Sequence, residues 1–156
     1  MSCAWFYISV FLQGNRNGIT TKIYLIRGEK VMIDRALAEL YGVETKYLKR
    51  QVRINTLRFP DDFMFELTEK ETQIWRSQFG TSKSDKMGLR YSPFAFTETG
   101  VAQLSGVLNS ERAILINNQI MRVFIKMRSM LMDTLTLKLD IETIKKKLKN
   151  QDKTEK

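Results

Sequence analysis

The chain has 156 residues, 43% apolar and 28% charged, with a net charge of +9. That is enough for one folded domain with an appendage, and the charge favours a polyanionic partner. Histidine is absent and Cys3 is the lone cysteine, which excludes histidine triads, histidine general bases, thiolate zinc sites and intrachain disulfides, and fits a reducing cytoplasm.

Most hydrolytic classes fall with them, so the chain is expected to be no enzyme, with no catalytic residue, cofactor or metal. Ala4 to Leu12 is an apolar run too short to span a bilayer as a helix. No cation precedes it and no small-x-small site closes it, which argues against a signal peptide. It reads as a loosely attached strand or as an over-extended translation start. We favour the second, because the domain pattern begins near Thr20. Residues 1–19 are set apart as an extension.

Lys22 to Arg27, then Lys30 to Ile33, predict a β-hairpin. Gly28-Glu29 would be its two-residue loop, a type II′ turn. Asp34 can cap a helix over 35–41. Gly42 sits where the chain reverses, a place for positive φ. A second helix follows over 45–57 and stops at Arg58-Phe59-Pro60.

Leu37, Leu40, Tyr41, Val43, Leu48 and Val52 are spaced to fill a core between crossed helices. Lys46, Lys49, Arg50, Arg53 and Arg58 are expected to face outward, opposed locally only by Glu44. This is the layout of a helix-turn-helix whose second helix enters a DNA major groove. Thr45, Lys46, Lys49 and Arg50 would reach base edges, while Arg53 and Arg58 would hold phosphates. A merely solvated cationic face on an ordinary helix pair fits the same spacing, and Gln51 stands where the motif prefers an apolar residue.

Phe63 to Leu67 predicts a short strand, and Thr68 with Glu71 a capping box opening a helix to about Phe79. The acids Asp61, Asp62, Glu66, Glu69 and Glu71 read as turn and capping residues rather than metal ligands. Residues 80–90 are polar and glycine-bearing, hence a loop. Tyr91 to Phe96 is extended, with Pro93 expected at an edge. Thr97 can cap a helix carrying Val101, Leu104, Val107 and Leu108.

No glycine or proline follows Ser110. Ala113, Ile116, Ile120, Val123, Met127, Met130, Leu137, Ile141, Ile144 and Leu148 recur at three- and four-residue steps, broken only by Thr134. Residues 113–130 are expected to pack on the core. Beyond Leu131 the heptads predict a coiled coil and a homodimer. Arg112, Arg122, Lys126 and Arg128 form a second cationic surface, for phosphates or for solvent.

With these residues in place, the chain resembles the ORF-six N-terminal type of KilA-N-related DNA-binding domain, found in phage antirepressors and mobile bacterial elements. The matching blocks are IRGEKVMIDRALAELYGVETKYLKRQVRIN, RFPDDFMFELT, RSQF, RYSPFAFTETGVAQLSGVLNSERAI and NNQIMRVFIKMR. The resemblance implies a mainly helical α+β domain with helix-turn-helix character over residues 20–131. A helical tail over 132–156 follows it. It also implies double-stranded DNA as partner and a regulatory role opposing a repressor. It supplies no catalytic residue. The rival is a protein-interaction module that binds a repressor instead of DNA.

Overall fold

A computed structural model describes residues 18–79 and 92–154. A 3₁₀ turn over Ile19–Lys22 leads into β1 (Ile23–Ile26) and β2 (Glu29–Ile33). Helices α1 (Asp34–Tyr41) and α2 (Thr45–Ile54) follow, then a 3₁₀ turn over Thr56–Arg58. Next come β3 (Met64–Glu66), α3 (Glu69–Phe79), β4 (Phe94–Thr97), α4 (Glu98–Leu108) and α5 (Glu111–Thr154). The architecture is α+β, as the pattern predicts. The loop expected over 80–90 lies outside the described residues.

The strands form one antiparallel sheet in the order β1-β2-β4-β3. Both of its faces are covered, which explains the unbroken apolar runs in β2 and β4. Met32, Phe94 and Phe96 point into the main core with Leu37, Tyr41, Leu48, Val52, Leu104 and Ile120. Val31, Ile33, Leu67 and Ala95 point the other way, against Tyr24, Phe65 and Trp75 of α3. The helix pair therefore lies on one side of the sheet and α3 on the other.

Gly42 closes α1 at φ 71°, with Val43 N–H donating to Ala38 O at 3.0 Å and Gly42 N–H to Glu39 O at 3.2 Å. These two bonds form a Schellman cap, which requires the left-handed residue that glycine supplies. Buried Asn117 ties the helices together. It accepts a hydrogen bond from Tyr41 Oη and donates to Val101 O at 2.7 Å. Gly100 in the first turn of α4 allows a close approach to the Phe63 backbone. A Cβ there would lie 2.0 Å from Phe63 O, so no other residue fits without moving the backbone.

Five local expectations need correction. The helix expected over 45–57 ends at Ile54, and the chain continues as the 3₁₀ turn over Thr56–Arg58. The hairpin loop is Arg27-Gly28, since Ile26 pairs with Glu29. Both loop residues have positive φ, 56° and 73°, which makes the turn type I′ rather than II′. Asp34 does not cap α1 from outside; it is the helix's first residue and is buried. Pro93 does not mark an edge, because it precedes β4, an inner strand. Thr97 stands at the N-cap of α4, but its hydroxyl bonds Asp62 O and Phe63 O across the fold instead of capping. The box at α3 is formed as expected: Glu71 N–H donates to Thr68 Oγ1, and Thr68 N–H to Glu71 Oε1.

Helix α5 runs unbroken over 44 residues. Ala113, Ile116, Ile120, Val123 and Phe124 are buried against the domain. Every residue from 131 to 153 is exposed.

Candidate nucleic-acid interface

Leu48 and Val52 anchor α2 in the core. Steps of three and four residues then place Lys46, Arg50, Arg53 and Ile54 on the opposite, exposed side, and exposed Leu57 follows in the 3₁₀ turn. The Arg50 guanidinium lies 5.7 Å from the Tyr47 ring and that of Arg53 lies 5.5 Å from the Phe94 ring. Contacts of this kind give long cations a preferred direction without burying their charge. Thr45 opens α2 and is half-buried, with exposed Glu44 at the N-cap. Arg58, in the 3₁₀ turn after α2, is exposed and lays its guanidinium beside Gly106 of α4.

Lys49 departs from the expected outward row. It is 8% exposed, its Nζ is 3.3 Å from Asp34 Oδ2, and it donates to Ser92 O at 2.8 Å. The Phe94 ring lies 4.8 Å beneath it. Asp34 also accepts from Phe94 N–H at 2.9 Å and from Arg35 N–H at 2.6 Å. Burial pushes the Asp34 carboxyl above its ordinary value, opposed by the Phe94 amide and by Lys49. This buried pair joins α1, α2 and the start of β4, so Lys49 braces the helix pair and presents no free cation.

The second cationic surface is also largely engaged. Arg112 Nε donates to Leu40 O at 3.2 Å, and its guanidinium covers Gly42. A cation there meets the negative end of α1. Arg128 pairs with Glu98. Arg122 is exposed and Lys126 is half-buried.

Sequence reasoning missed the apolar share of the α2 face. Leu57 is fully exposed and Ile54 is 69% exposed, beside exposed Tyr47. The place of Ile54 beside the Lys46-Arg50-Arg53 row was readable from helical spacing alone, whereas Leu57 lies in the 3₁₀ turn beyond the helix.

No helix among the described residues is long and apolar enough to cross a membrane. Among curated proteins and solved structures, nothing matches the chain. The ORF6N domain family model matches residues 21–107, from the turn before β1 to the last turn of α4. That span covers more than half of the sequence and contains the whole α1–α2 pair. The chain therefore belongs to the ORF6N domain family, a KilA-N-type domain found in phage antirepressors.

Proposed function

We propose that the protein is a non-enzymatic, DNA-binding regulator of phage or mobile-element type, antirepressor-like, acting in the cytoplasm as a homodimer. One observation carries the reading. Lys46, Arg50 and Arg53 line the exposed side of a helix whose inner side is fixed in the core. In the major groove, Thr45, Lys46 and Arg50 reach base edges near the helix start. Arg53 and Arg58 hold phosphates, which orients the helix without reading sequence. Ile54 and Leu57 supply apolar contacts of the kind thymine methyl groups accept. Lys49, bound to Asp34, takes no part in base reading.

The test replaces Lys46 and Arg50 with alanine and measures duplex binding over a range of salt. Each lost base contact should weaken binding by about 1–3 kcal/mol and relax preference at its base pair. Counterion release predicts a steep fall of affinity with salt in the parent. The exposed Leu57 and Ile54 favour a second reading, in which this face docks on a repressor. Unchanged DNA affinity in the double variant, with no salt slope in the parent, selects that reading.

A further inference from the structure

The outer part of α5 carries both an apolar seam and a charge pattern, and together they specify a partner. Met130, Thr134, Leu137, Ile141, Ile144 and Leu148 continue the spacing that packs α5 on its own domain. Past Met127 the domain no longer covers it. Leu137 is 64% exposed and Leu148 is 58% exposed. In heptad terms Thr134, Ile141 and Leu148 are a positions, and Leu137 and Ile144 are d positions. Asp133, Asp140 and Lys147 then fall at g. Lys138, Lys145 and Asp152 fall at e. All six are exposed beside the seam.

We infer that a second copy of this chain covers the seam as a parallel, in-register, two-stranded coiled coil. In such a pair a g residue faces the e residue of the next heptad on the other strand. Asp133 then meets Lys138 of the second copy, Asp140 meets Lys145, and Lys147 meets Asp152. All three contacts are attractive, and symmetry doubles each. An antiparallel pair sets g against g and e against e. In the register that stacks Leu137 on Leu148 and Ile141 on Ile144, Lys138 then meets Lys145 while Asp140 meets Lys147, so repulsion offsets attraction. The charges favour parallel strands.

Helix formation is no obstacle. An isolated segment of this length is marginal, because its first turn is costly to nucleate. Here α5 is nucleated by its buried first half and arrives at the seam already helical. A second apolar stripe, Met132, Leu135 and Leu139, is shorter and ends at Glu142. Parallel pairing places both domains at one end of the rod. The inference rests on the homodimer in the proposed function and adds its orientation.

The test uses the full-length chain. Sedimentation should give a dimer for the parent and a monomer for Leu137→Asp/Ile144→Asp, which keeps every lysine. A cysteine at a d position reports direction. Oxidised Cys3→Ser/Gln151→Cys should cross-link almost fully, and the control Cys3→Ser/Asn150→Cys should not. An antiparallel pair would hold the two 151 positions roughly 25 Å apart, so absence of that cross-link overturns the parallel arrangement. A monomeric parent overturns the pairing and leaves the seam to another protein or to the apolar residues near the N-terminus of the same chain. A dimer that survives the seam double but not Leu135→Asp/Leu139→Asp overturns it in favour of the second stripe. DNA binding is scored separately. A cross-linked dimer without DNA affinity refutes the DNA reading and leaves the pairing standing.

Discussion

Two ion pairs in this domain use the same chemistry at opposite depths. Asp34–Lys49 sits under the helix pair with side chains 3% and 10% exposed. Arg27–Glu71 clips the hairpin turn to α3 with side chains 46% and 22% exposed. The outer pair is the better made in geometry: Arg27 Nε and Nη2 each donate to Glu71 at 2.8 Å, over the Phe65 ring at 4.2 Å. Water nevertheless screens it, so its net contribution is small. The inner pair gains more from attraction and costs more in lost hydration. What it fixes is position: α1, α2 and β4 can only meet where Asp34, Lys49, Ser92 and Phe94 coincide.

That difference is broken most severely at Lys49. Lys49→Ala leaves the Asp34 carboxylate buried without its cation, which should cost about 3–5 kcal/mol. The deficit should shrink in acid, because protonating Asp34 removes the stranded charge. Asp34→Asn with Lys49→Met removes both charges and keeps an acceptor for the Phe94 amide. It should recover most of the parent's stability, since apolar replacement of a buried pair is often neutral or better. Chemical denaturation of the three proteins is the measurement. A single variant as stable as the parent would mean that the pair does not hold the helices.

The outer pair should respond less, and its carboxyl contributes to the parent's stability with a pH dependence opposite to that of Asp34. Arg27, together with the Thr68 amide, holds the Glu71 carboxyl down to about 2, from an ordinary 4.5. The unfolded chain therefore binds more protons in that window. The stabilisation is complete above the ordinary value and is lost as pH falls toward about 2. Asp34, with its carboxyl raised by burial, has the reverse sign: its unfavourable contribution grows as pH rises through the range above its ordinary value. Glu71→Gln keeps the cap's acceptor and removes the charge. It should cost about 1 kcal/mol or less at neutral pH. The gap between variant and parent should close on acidification. A gap that stays constant with pH would assign Glu71 to capping alone.

Why the inner pair escaped sequence reasoning is a matter of range. Helix spacing around Leu48 and Val52 marks the buried side of α2, and Lys49 adjoins it. A lysine there reads as solvent-facing until a carboxylate is found to meet it. Asp34 stands one helix away, and Ser92 lies 43 residues on. No local pattern joins them. Asp34 instead offered a capping residue, a role its type favours. The α3 capping box was legible because its partners are three residues apart. The Gly42 turn was legible because its bonds close within one helix end. The hairpin was placed correctly but its loop was shifted by one residue. Glycine at the second loop position suits the type I′ turn observed, with positive φ at Arg27 too, and only the distant Glu71 and Phe65 show what holds an arginine there.

The smallest effect is expected at Arg53, and it sharpens the comparison on a single ring. Lys49 and Arg53 both lie against Phe94, at 4.8 Å and 5.5 Å. Lys49 is buried there with a carboxylate, whereas Arg53 remains exposed. An exposed cation over an aromatic face contributes about 0.5–1 kcal/mol. Arg53→Ala should therefore lower stability by no more than about that amount. Its larger consequence belongs to binding. If Arg53 grips phosphate, DNA affinity should fall by a similar factor for every sequence, and the salt dependence should flatten by about one counterion. Paired titrations on a preferred and an unrelated duplex can read both quantities. Loss confined to the preferred duplex would move Arg53 from positioning to base reading. A stability loss rivalling that of Lys49→Ala would show that exposure on α2 does not separate its structural cations from its binding ones.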